Sequence, residues 1–188
     1  MRYEEERLLS HELRLLVDVL SELRLPVRGW FVPGSSPHRV RELLGSDVPE
    51  EVVDWFGWCG GIEFHPGQTQ EDADVVPGYS LIGLQDAVET YKAIEGLYEG
   101  DPVLGASWVP ILQGRGADFY AVVWGESEGC RVACVVQSEP VEIEFPSLEG
   151  MISFFNECYR RTVFFVDESG WVHEDFDRYE QLYDEFFS

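Results

Sequence analysis

Two acidic stretches of the chain have the composition to bind a cation. One is Glu71-Asp72-Ala73-Asp74, and the other spans residues 167–188, which hold eight acidic residues and one basic residue. Clustered carboxylates bind metal ions or the basic side chains of another protein. The first stretch lacks the central glycine and the closing glutamate of an EF-hand loop. We therefore expect no metal and no cofactor, and we interpret the acids as candidate contacts for a basic protein.

The candidate contact residues combine these acids with one strand aromatic and one turn acid. The full set is Glu71, Asp72, Asp74, Trp108, Asp118, Asp175, Asp177, Glu180 and Asp184. The alternative is that each acid only solvates a loop or helix surface, as surface charges usually do. Composition does not decide between these two interpretations.

Nucleophilic chemistry has little support in the sequence. A Gly-x-Ser-x-Gly elbow is missing, and His11, His38, His65 and His173 belong to no catalytic motif. His65, next to a proline in a long loop, is the one histidine that would merit a test. We expect no catalytic residue.

The cysteines are Cys59, Cys130, Cys134 and Cys158. In a strand, Cys130 and Cys134 would lie roughly 13 Å apart, too far to share a metal ion. They are also too few and too scattered for a disulfide framework. We expect buried, reduced thiols.

The net charge excludes one class of partner and favours another. The chain has 188 residues with 36 acidic and 13 basic side chains, a formal charge of −23, yet 45% of its residues are hydrophobic, so it should fold. Residues 1–41 carry +1 and residues 42–188 carry −24. Such a field opposes nucleic acid and anionic membranes and attracts basic proteins. A role limited to solubility is the alternative.

No run of about 20 apolar residues is present, and the first residues lack the apolar core of a signal peptide. The sequence therefore predicts a cytoplasmic protein that does not enter a membrane.

Helix signals begin early: Leu9, Leu13, Leu16, Leu20 and Leu23 lay one stripe along a helix from Tyr3 to Leu23. We expect this stripe to dock on the domain, although pairing with a second copy stays open.

The remaining pattern predicts mixed structure. Ser36 and Pro37 begin a short helix that Gly45 ends, Pro49 begins another that stops at Gly60-Gly61, a loop covers residues 62–78, and a helix runs from Gln85 to Tyr98. The predicted strands are Tyr79–Ile82, Trp108–Leu112, Phe119–Trp124, Arg131–Gln137 and Val141–Phe145, the last with one face in water. A helix follows Pro146-Ser147, then a hairpin around Gly170 and an acidic helix from Asp175 to Phe187.

These elements predict a single α+β domain over residues 1–188. Its antiparallel sheet should have five or six strands flanked by helices, with an N-terminal amphipathic helix in residues 1–30 and an acidic C-terminal extension in residues 162–188.

Several short motifs follow one another in a fixed order between residues 40 and 160. They are Val48-Pro49-Glu50-Glu51 leading through Trp55-Phe56 to Gly60-Gly61, then Tyr79–Leu84, Trp108-Val109-Pro110-Ile111, Phe119–Val122 and Pro146–Glu149. This order of motifs resembles the SUKH superfamily, which includes bacterial toxin-immunity proteins and a fungal regulator of cell-wall synthesis. Its motif residues with a structural role are Pro49, Trp55, Gly60, Gly61 and Pro110. Cys59 stands where the family has a polar residue.

The resemblance implies a non-enzymatic α+β protein that grips a partner protein. In bacterial members of the family the partner is typically a toxin domain, often a nuclease. Together with the charge, it leads to the hypothesis of a cytoplasmic bacterial immunity protein that neutralises a basic toxin domain by binding it. A scaffold module with an endogenous partner, or an enzyme that uses the His65 loop, are the alternatives.

Overall fold

The computed structural model describes residues 2–105, 107–125 and 129–188, with side chains from residue 8 onward. The helices are α1 (Arg2–Glu22), α2 (Pro37–Leu44), α3 (Glu50–Trp58), α4 (Leu84–Ile94), α5 (Leu148–Arg160) and α6 (Phe176–Phe187). The strands are β1 (Phe31–Pro33), β2 (Cys59–Ile62), β3 (Ser80–Leu81), β4 (Trp108–Gln113), β5 (Phe119–Val123), β6 (Arg131–Val135), β7 (Glu142–Phe145), β8 (Phe164–Val166) and β9 (Val172–Glu174).

A five-stranded antiparallel sheet organises the domain. Its strands follow chain order, β3-β4-β5-β6-β7, and β1-β2 and β8-β9 form two separate two-stranded antiparallel sheets. This arrangement confirms the predicted α+β class with one domain. The meander arises because tight turns join strands that alternate in direction, such as the Gly114-Arg115-Gly116 turn between β4 and β5.

The sheet buries both of its faces. One face packs under α1, α3 and α5 in the main core, which includes Phe56, Phe145 and Phe154. The other face carries Trp108 and Phe119, which are stacked with ring centroids 5.7 Å apart beneath the C-terminal part of α4. Burial on both faces explains why β4 and β5 read as nearly continuous apolar runs.

The leucine stripe of α1 docks on its own domain. Leu9, Leu13, Leu16 and Leu20 are at most 2% exposed against α5 and α3, whereas Leu23 is 40% exposed. Leu23 follows the last residue of the helix and does not belong to the buried stripe. Because its leucines already fill the core, this stripe does not serve as a dimer seam.

The N-terminal caps form as the sequence predicts. The Ser36 hydroxyl accepts from the Arg39 amide, and the Ser147 hydroxyl accepts from the Gly150 amide at 2.9 Å. The helix expected to reach Tyr98 ends earlier, at Ile94, and a 3-10 turn of Glu95–Tyr98 follows. Gly96 lies in this turn, where its low helix propensity favours the change.

The glycine pair after α3 does more than stop the helix. Gly60 and Gly61 lie in β2, which pairs with β1, and a Cβ on Gly60 would lie 2.4 Å from the carbonyl oxygen of Pro33. Gly61 has a φ of +97°, and a Cβ there would lie 2.7 Å from the Gly83 nitrogen. Glycine is therefore required for β1, β2 and the start of α4 to meet backbone to backbone.

The other motif residues also have structural roles. Pro49 is the N-cap of α3, and Trp55 is buried in the main core. Pro110 lies in the interior strand β4 at a register shift between Pro110 and Leu112. A proline lacks a ladder N–H, so its presence inside a sheet fits such a bulge.

Within residues 2–105, 107–125 and 129–188, no helix is both long enough and apolar enough to cross a bilayer.

Candidate functional site

An open cleft lies between the end of the sheet and the C-terminal helix. β6, β7 and the turn between them form one wall, and α6 forms the other, enclosing about 600 Å³. This volume is within the range of clefts that take ligand-sized groups, about 300–1,000 Å³. The residues that line it are Cys134, Val136, Glu139, Pro140, Glu142, Ile143, Glu144, Tyr179, Glu180, Tyr183 and Asp184.

The charges in this cleft all have one sign. Its five ionisable acids are Glu139, Glu142, Glu144, Glu180 and Asp184, and the described residues that line it include no lysine, arginine or histidine. The one basic residue of α6, Arg178, is turned away. Its guanidinium donates to the carbonyl oxygens of Arg161 and Thr162 beyond the end of α5. The cleft, which we call the acidic cleft, therefore attracts cations.

A bulge in β7 brings Glu144 into the cleft. Val132 pairs with Phe145, while the next residue of β6, Ala133, pairs with Ile143. Glu144 is thus the extra residue on β7, so that Ile143 and Phe145 face opposite sides of the sheet despite their spacing of two. The expectation that both acids of this strand face water is wrong for Glu144, because the bulge breaks the alternation.

Tyrosine hydroxyls hold the Glu144 side chain in place. The hydroxyl of Tyr179 donates to Oε1 at 3.0 Å, and the hydroxyl of Tyr120 donates to the same oxygen at 3.2 Å. The hydroxyl of Tyr183 donates to the backbone carbonyl of Glu144. Strand β7, strand β5 and helix α6 therefore meet at this one residue.

Burial sets the protonation behaviour of this cluster. Desolvation raises the pKa of Glu144, and the hydrogen bonds from Tyr179, Cys134 and Tyr120 oppose that rise. Burial, followed by the nearby Glu144 charge, raises the pKa of the Cys134 thiol to about 12. The thiol is therefore protonated at neutral pH and acts as a weak hydrogen-bond donor rather than a nucleophile. The same two causes raise the pKa of Tyr179.

Only part of the predicted contact set lies at the acidic cleft. Glu180 and Asp184 line it from α6. Asp175 is the N-cap of that helix and accepts from the Arg178 amide, while Asp177 is exposed in the first turn. Asp118 is half-buried and accepts from the Gln137 amide at 2.9 Å, which fixes the turn after β6 beside the cleft.

Trp108 does not lie on the surface. It is 5% exposed and packs against Tyr91, Tyr98 and Phe119 on the second face of the sheet. Its side chain is therefore not available for direct contact with a partner, and its place in the predicted contact set is a correction. The apolar run around it indicated a strand but not which of its residues stays exposed.

The acids of the 62–78 loop form a different structure from the one predicted. Asp74 is 4% exposed, accepts from the Gly78 amide, and pairs with the Arg115 guanidinium at 2.9 Å. Glu71 approaches the same guanidinium at 3.7 Å, and Asp72 closes a turn with Thr69. Asp74 therefore fastens the loop to the β4–β5 turn and is not a free contact acid.

His65 and the four cysteines are the remaining residues that the sequence singles out for possible chemistry. His65 is exposed and tilts against Trp30, with ring centroids 5.5 Å apart, and its Nε2 lies 3.9 Å from Glu63. All four cysteines are free thiols, three buried and Cys134 half-buried. Among the described residues, no group of three or more His, Cys, Asp or Glu side chains is arranged to hold a metal ion.

Sequence reasoning did not identify Glu144, Glu142, Glu139, Tyr179 or Tyr183 as site residues. Alternation in Val141–Phe145 singled out the two strand acids, but a regular strand gave Glu144 the wrong surroundings. The tyrosines repeat four residues apart on an acidic amphipathic helix. That spacing places them on one face, which is the available signal for a shared site.

Comparisons with known proteins do not place the chain in a family. No protein-family model matches it, and no curated protein matches it.

Proposed function

We propose that this protein is a non-enzymatic binding protein that takes a basic protein partner in its acidic cleft. One observation carries the proposal: five carboxylates converge on a cleft, and none of the described residues that line it is basic. A partner's arginine and lysine side chains would gain ion pairs there and relieve the repulsion among the acids.

The proposal extends to neutralisation of a toxin domain. A chain with a formal charge of −23 attracts basic proteins over a long range. Many toxin domains that act on nucleic acid carry a basic surface for phosphate, and occupying that surface blocks its use. The resemblance to SUKH immunity proteins supports the same role, and we propose that the protein performs it in the cytoplasm.

Affinity capture from a native cell lysate tests the proposal with three baits. The first is the unchanged protein, the second carries Glu142→Gln, Glu180→Gln and Asp184→Asn in the acidic cleft, and the third carries Glu89→Gln, Glu99→Gln and Glu168→Gln. The third bait loses the same charge at exposed positions outside the cleft. We expect a basic protein on the first and third baits but not on the second.

Whether the captured protein is toxic decides between neutralisation of a toxin and a scaffold role. If the captured protein is toxic in cells and its toxicity is suppressed by co-expression of this chain, it is neutralised by binding. A captured protein without toxicity favours the scaffold alternative. Equal capture on all three baits contradicts binding in the cleft.

Association kinetics give a second test with the captured partner. Electrostatic steering makes the association rate constant fall steeply with ionic strength, while the dissociation rate constant changes less. An association rate that does not change with salt would contradict steering by the acidic surface.

A further inference from the structure

The outer edge of β7 is the open end of the main sheet. β7 pairs with β6 on one side, and no strand in the described parts of the chain pairs with its other side. An unpaired edge offers backbone N–H and C=O groups to an incoming strand. This edge borders the acidic cleft, because Glu142, Ile143 and Glu144 line it.

The charges on β7 disfavour a second copy of the same chain as the incoming strand. Glu142 and Glu144 occupy half of this four-residue strand. Antiparallel pairing of two β7 edges would bring the acids of both copies together, and like charges across a strand pair are destabilising. A strand with basic side chains has the opposite effect. Charge complementarity therefore selects a basic partner.

The neighbours of β7 limit how far such a strand can pair. Pro140 precedes the strand and has no N–H to offer. At the other end, the carbonyl of Glu144 already accepts from the Tyr183 hydroxyl. Strand pairing is therefore limited to Val141 through Ile143, because a side chain of α6 already occupies the Glu144 carbonyl beyond them.

We propose that the partner supplies an extended segment with arginine or lysine at alternate positions, which pairs with β7 as a sixth strand and points its basic side chains into the acidic cleft. The inference rests on the proposed function and specifies its partner. Alternate residues of a strand share one face, so basic side chains two apart can reach the cleft together. Glu144, held by Tyr120 and Tyr179, is a fixed carboxylate for one of them.

Two synthetic peptides separate strand pairing from plain charge attraction. The probe is a short acetylated peptide in which arginine alternates with threonine. Its matched control has the same sequence, but N-methyl groups remove the backbone N–H donors along one edge. We expect the probe to bind, and the methylated peptide to bind about tenfold more weakly because it cannot complete the backbone pairing.

Hydrogen exchange locates the binding. The amides of Val141–Ile143 that exchange freely in the unbound protein should become protected by the probe peptide. Glu142→Gln and Glu144→Gln should weaken binding, whereas Glu89→Gln, on the exposed face of α4, should leave it unchanged.

The outcomes distinguish this inference from the proposed function. Equal binding of both peptides, with no new protection in β7, overturns strand addition while the acidic cleft still binds cations. If neither peptide binds, strand addition is also overturned. The three-bait capture then tests the proposed function on its own. If sedimentation shows a dimer and hydrogen exchange shows the β7 amides protected in it, the edge pairs with a second copy, which would also overturn the inference.

Discussion

Glu144 holds its carboxylate where water reaches it poorly, and this position has a consequence for stability. Burial raises its pKa above the value of 4.5 expected in the unfolded chain. Between these two pKa values the folded protein binds more protons than the unfolded chain, so this group's contribution to stability rises as the pH falls. The groups that face it are Tyr120, Tyr179 and Cys134, whose pKa values are all raised, and Glu174, whose pKa is also raised by burial.

Glu144→Gln should remove this pH dependence and keep the hydrogen bonds. The amide oxygen can still accept from both tyrosine hydroxyls, but the side chain no longer titrates. When the pH falls from 7 to 4.5, the unfolded-state pKa, the free energy of unfolding of the unchanged protein should rise relative to that of the variant. Urea unfolding at both pH values measures the difference. Parallel pH profiles for the two proteins would contradict this account of Glu144.

Arg115→Gln tests the buried ion pair of the loop. Burial raises the pKa of Asp74 to about 6, and the Arg115 charge opposes the rise. Without Arg115 the buried carboxylate has no cation, so the variant should lose about 1–3 kcal/mol at pH 7, a value reduced because Arg115 is half exposed. The loss should be smaller at pH 5, where Asp74 is protonated in both proteins.

Urea unfolding of the double variant Asp74→Asn with Arg115→Gln supplies the control. With no charge left to bury, it should recover part of the stability at pH 7. A loss from Arg115→Gln that is the same at both pH values would show that the arginine contributes by packing and not through Asp74.

Helix α1 contributes to the fold through one of its faces. Leu16→Ala should destabilise the protein by about 2–5 kcal/mol, because Leu16 is 1% exposed against the core. Leu15→Ala makes the same chemical change at a neighbouring position that is 37% exposed, and its effect should stay within about 1 kcal/mol. Thermal unfolding of both variants gives the comparison. Equal effects would contradict the docking of the leucine stripe.

The N-cap of helix α6 should contribute more to its stability than an exposed acid in its first turn. Asp175 accepts from the Arg178 amide as the N-cap, so Asp175→Ala should cost about 0.5–2 kcal/mol. Asp177 is an exposed acid in the first turn, where the helix dipole favours a negative charge, so Asp177→Ala should cost less than about 1 kcal/mol. Denaturant unfolding of the two variants tests whether the acid at 175 serves the helix.

Local chemistry made most elements of this fold predictable. Caps such as Ser36 and Ser147, turn glycines such as Gly116, and the apolar runs of β4 and β5 each carry their signal within a few residues. The acidic cleft was less predictable, because it depends on contacts between distant residues. Tyr179 meets Glu144 across 35 positions of sequence, and the bulge in β7 leaves no local mark.

Sequence patterns also fail to predict which of the expected contact residues are buried. Asp74 looks like a loop acid in the sequence, yet it is buried because Arg115, 41 positions away, lies within hydrogen-bonding distance. Trp108 begins a strand whose two faces are both covered, a fact that strand alternation cannot reveal. Residue type indicates what a side chain can bind, whereas tertiary packing decides whether anything can reach it.

At the scale of the whole molecule, charge repulsion opposes folding. A formal charge of −23 is confined to a smaller volume in the folded state than in the unfolded chain. Sodium chloride should therefore raise the midpoint of urea unfolding, most strongly at low concentration, and the gain should level off above about 0.15 M as the screening length shortens to about 8 Å. A midpoint that stays constant over this range would contradict a destabilising role of the net charge.

The docking of α1 on α5 joins helices that lie far apart in the sequence, since Asn156 donates to the Glu12 carbonyl 144 positions away. A ribosome adds about 5–20 residues per second, so α1 is made roughly 6–28 seconds before its binding surface on α5 exists. During this interval the meander can pair strand by strand and the leucines of α1 can contact α3, but the part of their binding surface that α5 supplies is missing. Newly made molecules therefore pass through a stage in which an amphipathic helix is partly open to chaperones, and truncation before α5 would make that stage permanent.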